Sequence, residues 1–311
     1  MKSYHTLFDE NPLRIVSRRS QLAMVQTDMV TNLLPDISYQ VTGISTSGDE
    51  VLDRPLVEIG GKGVFIKALE AEMISGRADC AVHSLKDMET ILAPDTELIA
   101  YLPREDRRDA LVGPYQTLSD LPQNSVIGTS SVRRAAMLLH HRPDLKITLL
   151  RGNVQRRLAQ LEDGTYDAII LAMAGLKRLG LADLGHPLDE AVMLPSASQG
   201  VIAIQIATKD KARADAMRAV FAPLNCAKTA LAVSAERALL DQLDGSCRTP
   251  IGVTADLIDD VQMRLRASLL NADGSARFDA TTICQHNEAE IAGRALADDL
   301  LAQCGGSDFL A

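Results

Sequence analysis

The sequence predicts an α/β fold in which two strand-helix units flank a cleft and a small α+β unit follows them. Over roughly the first two thirds of the 311 residues, short apolar runs typical of buried strands alternate with segments of helical periodicity. This alternation favours parallel sheets covered on both faces, with ligands bound at the strand C-termini. Two weak internal echoes indicate a duplication: GRADCAVHS (76–84) resembles GTYDAIILA (164–172), and RIVS before an arginine-bearing helix resembles VIGTSSVRR.

The first unit begins with the strand LRIVS (13–17), and the helical pattern that follows it ends at Pro35. A helix over residues 63–76 then leads to the buried strand ADCAVHS (78–84). The second unit runs through SVIGT, a helix over VRRAAMLLHH, KITLL, a helix over VQRRLAQLEDG, and YDAIILA. The N-cap candidates for its first helix are Thr129, Ser130 and Ser131, because their hydroxyls can accept backbone N–H bonds.

The C-terminal part changes character. LAVSAERALLDQL (231–243) predicts a helix, and residues 261–285 look like two strands around an Ala-Asp-Gly turn. A helix over residues 288–304 follows them. We therefore expect a small α+β domain at this end of the chain.

Composition disfavours several classes of protein. The net charge of −9, the absence of Trp and the 3% aromatic content disfavour nucleic-acid binding. No apolar stretch has the length of a signal peptide core or a membrane span, so we expect a cytoplasmic protein. The five cysteines are scattered without a C-x-x-C pair, and the adjacent His140 and His141 cannot face one ion. We therefore expect neither a disulfide framework nor a metal site.

Arginines concentrate in the middle of the chain. Residues 103–195 carry a net charge of +1, whereas residues 1–102 and 224–311 carry −6 each. Eight arginines fall at strand ends or in first helical turns, where backbone N–H groups already carry partial positive charge: Arg14, Arg18, Arg19, Arg133, Arg134, Arg151, Arg156 and Arg157. A carboxylate or phosphate ligand would offset that repulsion. The alternative is a solvated surface, above all for Arg19 and Arg156, which helical periodicity could turn to solvent.

Two further motifs contain reactive groups. HSLKD (83–87) follows a buried strand, so Lys86 and Asp87 should emerge on the cleft side. A carboxylate among arginines would repel an anion unless it stabilises a cation or moves a proton, although a plain Lys86–Asp87 surface pair is an equal alternative. In GSCRTPIG (245–252), Cys247 is a loop thiol between small residues and Arg248, a setting that favours the thiolate.

These motifs stand in the order seen in the porphobilinogen deaminase (hydroxymethylbilane synthase) family, and the resemblance runs from about Arg14 to about Ala311. The segments that carry it are RIVSRRSQLA, GGKGVFIKALE, AVHSLKD, PREDRRDALV, IGTSSVRRAAML, LLRGNVQRRL, YDAIILAMAGLKRLGL, SASQG and GSCRTPIG. The resemblance implies a transferase of tetrapyrrole (haem) biosynthesis. Members join four porphobilinogen molecules head to tail, with loss of ammonia, on a covalent dipyrromethane primer, and hydrolysis then releases hydroxymethylbilane.

The resemblance also implies a monomer of three domains. Two domains similar to type II periplasmic binding proteins would comprise residues 1–102 with 198–222, and residues 103–197. A C-terminal α+β domain, residues 223–311, would carry the cofactor cysteine.

The resemblance further assigns roles to individual residues. Cys247 matches the thioether attachment site of the dipyrromethane cofactor, and Asp87 matches the catalytic aspartate, which holds pyrrole N–H groups and stabilises positive charge. Residues that match ligands of the cofactor carboxylates are Ser84, Lys86, Thr129, Ser131, Arg133 and Arg134. Residues that match substrate and chain ligands are Arg14, Arg151, Arg157 and Arg178. The chain departs from the family pattern at Met88-Glu89, at Ser198 and at Asp244-Gly245-Ser246, and none of these changes removes a catalytic group.

Two other hypotheses fit parts of the sequence. A cytoplasmic carboxylate-binding protein of the same two-domain architecture would need the arginines but neither Cys247 nor Asp87. A transferase with Cys247 as its turnover nucleophile would need a nearby base, typically histidine. No histidine stands between His186 and His286.

Overall fold

The computed structural model describes residues 8, 10–34, 36–46, 48, 63–243, 249–306 and 309, and the structural statements below concern these residues. Three sheets organise this part of the chain, two with five strands and one with three. Each sheet is packed against helices over its own cluster of buried apolar side chains.

The first sheet has the strand order β2-β1-β3-β10-β4. Its strands are β1 (Leu13–Arg18), β2 (Tyr39–Ile44), β3 (Cys80–Ser84), β4 (Thr96–Tyr101) and β10 (Ile202–Ala207). β1 pairs in parallel with β2 and β3, whereas β10 is antiparallel to both of its neighbours. The expected parallel sheet is therefore interrupted by one strand, which arrives from the far end of the second unit.

The second sheet repeats this arrangement with the order β7-β6-β8-β5-β9. Its strands are β5 (Asp109–Val112), β6 (Val126–Gly128), β7 (Lys146–Thr148), β8 (Ala168–Ala172) and β9 (Gly185–Pro187). Here the antiparallel strand is β5, which enters directly from the first unit. Two sheets of the same order, each with one strand crossing between units, have the type II periplasmic-binding-protein topology, so the predicted fold class is confirmed.

Several helices start at a capping side chain, namely that of Ser20, Ser131, Asn153 or Asp210. The structure contains α1 (Gln21–Thr31), α2 (Gly63–Ile74), α3 (Val132–His141), α4 (Val154–Glu162), α5 (Met173–Arg178), α6 (Lys211–Phe221), α7 (Ala227–Gln242) and α8 (Ala289–Cys304). Of the three predicted caps for α3, Ser131 is the N-cap and accepts the backbone N–H of Arg134 at 3.4 Å. Asn153 caps α4 in the same way, through the N–H of Arg156 at 2.9 Å. α3 and α4 thereby begin shortly after the ends of β6 and β7.

The C-terminal sheet contains β11 (Ile251–Leu257), β12 (Gln262–Leu270) and β13 (Arg277–Gln285), all antiparallel. The two strands predicted for residues 261–285 are confirmed as β12 and β13, whereas β11 was not predicted. Its sequence, IGVTADL, alternates apolar residues with small or polar ones, which is the pattern of a strand, although its first five residues are all buried. α7 and α8 cover this sheet, and together they form the expected α+β unit.

Two connections join the first two sheets, at residues 102–108 and 188–201. The carboxylate of Glu236, on α7, ties both of them to the C-terminal unit. It accepts two hydrogen bonds from Arg104, at 2.7 and 2.9 Å, and further bonds from the backbone N–H of Ser198 at 2.7 Å and of Ala255 at 3.0 Å. Because Glu236 is fully buried, these partners fix the three units against one another.

Candidate functional site

A cleft of about 690 Å³ lies where the three units meet. Its walls are the segments directly after β1, β3, β6, β7 and β8, as expected for ligand sites of α/β sheets. Leu240, Thr249 and Ile251 of the C-terminal unit complete the wall. The cleft is therefore lined by all three units.

Positive charge dominates this cleft. Among its described lining residues are nine cations, Arg18, Arg19, Lys86, Arg133, Arg134, Arg151, Arg156, Arg157 and Arg178, and one carboxylate, Asp87. Such an excess is electrostatically unfavourable in an empty cavity, so the lining is suited to a ligand with several negative charges.

Two of the cations share one buried counter-ion. The fully buried Asp109, at the start of β5, accepts from Arg133 at 2.7 Å and from Arg134 at 2.7 and 3.1 Å. Burial alone would raise the pKa of Asp109, but the two guanidiniums outweigh it and hold the pKa well below its usual range. Burial lowers the pKa of Arg133, whose Nε has no hydrogen-bond partner among the described residues. A single carboxylate cannot neutralise two guanidiniums, so the group formed by Asp109, Arg133 and Arg134 keeps a net positive charge.

Lys86 extends this cluster from the opposite sheet. Its Nζ donates to Oε1 of Gln199 at 3.1 Å, and Nε2 of Gln199 donates to Asp109 at 2.9 Å. Desolvation, followed by repulsion from Arg134, lowers the pKa of Lys86 to about 8. Gln199 therefore links the cations of the two sheets.

Asp87 stands at the end of a short 3-10 turn, Leu85–Asp87, directly after β3. Its side chain is 35% exposed, and its Oδ2 lies 3.9 Å from Nη1 of Arg18. The guanidinium of Arg18 stacks on the Phe65 ring, 4.1 Å from the centroid. Asp87 is therefore accessible to a bound molecule, and its nearest cation is Arg18, whereas the Lys86 ammonium donates to Gln199.

The three hydroxyl residues differ in position. Ser84 and Ser131 line the cleft, and Oγ of Ser84 donates to Oε1 of Gln26 at 2.9 Å. Thr129 is buried behind the lining, where its Oγ1 accepts the backbone N–H of Ser131 at 3.1 Å. The structure thus brings two of these three residues to the cleft surface, and Thr129 supports the turn before α3.

Three of the four predicted substrate arginines lie in the cleft. Arg151 donates to the carbonyl of Gly48 at 3.3 Å, Arg157 to that of Gly152 at 2.8 Å, and Arg178 to that of Gly200 at 2.6 Å. Desolvation, with repulsion from Arg134 and Arg151, lowers the pKa of Arg157 to about 10. Desolvation likewise lowers the pKa of Arg178 to about 10.

Arg14 is the exception, and the prediction that it lies in the cleft needs correction. It stands near the N-terminal end of β1, where its guanidinium is bonded to the buried Asp79 at 2.6 and 3.1 Å. Arg18, four residues later at the C-terminal end of the same strand, is the arginine that β1 contributes to the cleft. Strand direction could have separated the two, because parallel strands present ligands at their C-terminal ends.

Two other predicted features can be placed. Cys247 lies outside the described residues, but Leu240 and Thr249, which line the cleft, stand shortly before and after it in the chain. Met88 is buried, whereas Glu89 is exposed and does not line the cleft. The extra carboxylate of this chain is thus outside the cleft lining. Sequence reasoning also missed Gln199 and Asp109, whose roles depend on contacts distant in sequence.

Comparisons with known proteins agree with this geometry. A model of the family "Porphobilinogen deaminase, dipyromethane cofactor binding domain" matches residues 13–215, and one of "Porphobilinogen deaminase, C-terminal domain" matches residues 230–302. A porphobilinogen deaminase of Chromobacterium violaceum is 45% identical over 293 residues, which cover 92% of this chain and 93% of the relative. The chain belongs to the porphobilinogen deaminase family.

Membership of the porphobilinogen deaminase family confirms the expected enzyme class, a transferase of tetrapyrrole biosynthesis with a dipyrromethane cofactor. It favours this function over a carboxylate-binding protein without catalytic activity. None of the helices in the described part of the chain has the length and apolar character needed to span a membrane.

The chain is also similar to solved structures. These include the VFT2 domain of Bordetella pertussis BvgS, at 13% identity and a TM-score of 0.40, covering 71% of this chain and 92% of that domain. An ABC transporter structure from Parabacteroides distasonis has 15% identity and a TM-score of 0.41, covering 68% of this chain and 71% of that one.

Proposed function

We propose that this cleft joins four porphobilinogen molecules head to tail on a dipyrromethane primer attached to Cys247, with Asp87 as the catalytic carboxylate. The observation that carries the proposal is the cleft lining, in which nine cations surround a single carboxylate. Each porphobilinogen brings an acetate and a propionate, so the cations suit the substrate side chains. Asp87 can then stabilise the positive charge that develops on the pyrrole rings during the reaction.

The residues present fit a polycarboxylate cofactor. Among the described residues, the buried Nε of Arg133 has no hydrogen-bond partner, and the two positive charges of Arg133 and Arg134 face the single negative charge of Asp109. We assign the cofactor carboxylates to Lys86, Arg133 and Arg134, with Ser84 and Ser131 as neutral donors and Thr129 behind them. When bound, the cofactor supplies the nucleophilic pyrrole position at which the chain grows.

The substrate carboxylates are assigned to Arg18, Arg151, Arg157 and Arg178. Arg18 takes the place predicted for Arg14, because Arg14 is held by Asp79 at the other end of β1. Hydrogen bonds from guanidiniums to carboxylates are charge-assisted and orient both partners. The arginines thereby hold the aminomethyl carbon of porphobilinogen near Asp87.

Asp87 acts on the ring atoms of the substrate. As the C–N bond breaks and ammonia leaves with the electron pair, positive charge develops on the pyrrole, and the carboxylate oxygens accept its N–H and stabilise that charge. Such an interaction is stronger beside protein than in bulk water, because the local dielectric constant is lower. The same oxygens are placed to take the proton released when the ring regains aromaticity.

The experiment on Asp87 separates charge from shape. Asp87→Asn should keep the fold and the bound cofactor and lose nearly all turnover, while Asp87→Glu, which displaces the charge, should keep a trace. Glu89→Gln removes an exposed carboxylate two residues away and should behave as wild type. Near-normal turnover of Asp87→Asn would refute the role.

The experiment on Cys247 is peptide mapping of the purified protein. A two-pyrrole adduct should be found on Cys247 and should survive denaturation and turnover, since a thioether is not reduced by thiols. Cys247→Ser should purify folded, without the adduct and inactive, whereas the control Cys226→Ser should retain the adduct. An unmodified Cys247 in active enzyme would contradict the assignment.

The remaining proposals concern organisation. We propose domains at residues 1–102 with 198–222, 103–197 and 223–311, supported by the membership of β10 in the first sheet. We also propose a cytoplasmic monomer without nucleic-acid partners, supported by the family resemblance and the net charge of −9. Light scattering should give the mass of one chain, 33.5 kDa, and a dimer mass at micromolar concentration would contradict it.

A further inference from the structure

Arg156 differs from the other cations of the cleft. The side chains of Arg19, Lys86, Arg133, Arg134, Arg157 and Arg178 each donate hydrogen bonds to protein acceptors. The guanidinium of Arg156 makes no hydrogen bond or ion pair within the described part of the chain, yet it lines the cleft and is exposed to solvent. It is thus a cation at the solvent edge of the cleft whose donors are available to a ligand.

The backbone directs Arg156 to this position. Gly152 has φ of +108°, and a Cβ added there would stand 2.7 Å from Cδ of Arg156 and 3.1 Å from its Cβ and Cγ. The stem of Arg156 therefore lies across the bare Cα of Gly152, which a larger residue would prevent. The Asn153 cap fixes the backbone of Arg156 in the first turn of α4. The side chain is thereby guided along the cleft wall.

We propose that Arg156 binds carboxylates of the growing chain late in elongation, and not those of the primer. The inference rests on the proposed function. Primer carboxylates are matched by Lys86, Arg133 and Arg134, deeper in the cleft. Each addition brings two more carboxylates, and units already joined must move into unfilled parts of the cleft. The growing chain reaches the exposed edge last, when Lys86, Arg133 and Arg134 are already paired with primer carboxylates.

The size of the effect follows from exposure. An exposed guanidinium-carboxylate pair contributes little compared with a buried one, and its loss changes an equilibrium by about two- to five-fold. The contribution is also screened by salt, so it should be largest at low ionic strength. Removing the charge of Arg156 should therefore change the distribution of late intermediates without abolishing turnover.

The test is the ladder of covalent complexes seen by intact-protein mass spectrometry, with holoenzyme and limiting porphobilinogen. Arg156→Gln should purify with the cofactor and make the first additions at the wild-type rate. Complexes with two or three added units should then accumulate about two- to five-fold over wild type, because the next addition is slowed, and high salt should remove this excess. Arg156→Lys should largely restore the wild-type ladder. The matched control Arg77→Gln, at an exposed arginine paired with Glu72 outside the cleft, should leave it unchanged.

Three results would overturn the proposal. They are a wild-type ladder for Arg156→Gln at low salt, an equal slowing of every addition, and loss of the cofactor. A wild-type protein that forms no ladder would instead refute the proposed function, so the two failures are distinguishable.

Discussion

Replacing Asp109 by Asn tests whether one buried carboxylate holds the cation cluster together. The substitution keeps the shape but removes the charge that faces Arg133 and Arg134 at 2.7 Å. Removing one partner of a buried ion pair costs about 3–5 kcal/mol, since the remaining charge stays buried without compensation. At about 2–4 °C for each kcal/mol, the midpoint of thermal unfolding should fall by roughly 6–20 °C.

The sign of the pH dependence follows from the lowered pKa of Asp109. A carboxyl whose folded-state pKa lies below its unfolded value stabilises the fold above that unfolded value, about 3.9, and loses the contribution as pH falls through the folded pKa. The difference between wild type and Asp109→Asn should therefore be constant above about pH 5 and shrink in more acid solution.

The assay is thermal unfolding followed by far-UV circular dichroism, because the chain has no Trp for fluorescence. Asp109→Asn should lower the unfolding midpoint more in cofactor-free protein than in cofactor-loaded protein. In the loaded form, the primer carboxylates replace part of the missing negative charge. Asp215→Asn serves as the control, because Asp215 is 71% exposed beside Arg218. If Asp109→Asn and Asp215→Asn unfolded at the same temperature, the account of the cluster would be wrong.

Three further predictions concern backbone strain, strand direction and proton binding. Ser198 has φ of +62°, so Ser198→Gly should stabilise the protein by about 0.5–1 kcal/mol in denaturant unfolding. Gly200→Ser should destabilise it, because a Cβ there would stand 2.4 Å from a backbone carbonyl oxygen. Arg18→Leu should abolish most turnover in a steady-state assay, whereas Arg14→Leu should retain it and lower only the unfolding midpoint. Primer loading of the apoprotein should slow as pH rises through about 8, where Lys86 loses its proton, and Lys86→Arg should remove this step from a rate-against-pH profile.

Local features of the fold could be predicted because they depend on neighbouring residues. The N-cap at Ser131 and the buried strand before HSLKD follow from side-chain chemistry and from an apolar run, and the structure confirms both. The position of Asp87 at a strand end follows from the same reasoning. In contrast, β11 was not predicted, although the apolar-polar alternation of IGVTADL is local and typical of a strand.

The electrostatic design of the cleft could be predicted only in part. The excess of arginines at strand ends was visible, but Asp109 stands 24 residues before Arg133, and nothing local shows that they meet. Gln199 reaches Lys86 across 113 residues. The wrong prediction that Arg14 lies in the cleft had a different origin. The chain direction of β1 is known from the sequence, and it places Arg18, not Arg14, at the C-terminal end of the strand. Side-chain contacts between residues distant in sequence could thus not be predicted from local patterns.

The cleft couples the charge of its ligand to the stability of the protein. Lowered pKa values at Lys86, Arg157 and Arg178 mean that the protonated, charged forms are disfavoured in the ligand-free cavity. A bound polycarboxylate reverses this, because its negative charges raise these pKa values and convert mutual repulsion into pairing. A ligand that binds only the folded state stabilises it, and a covalently attached one does so at any concentration. The attachment at Cys247 would therefore keep Lys86, Arg133 and Arg134 paired with cofactor carboxylates through every cycle. Arg156, at the solvent edge, would meet carboxylates only as the chain grows.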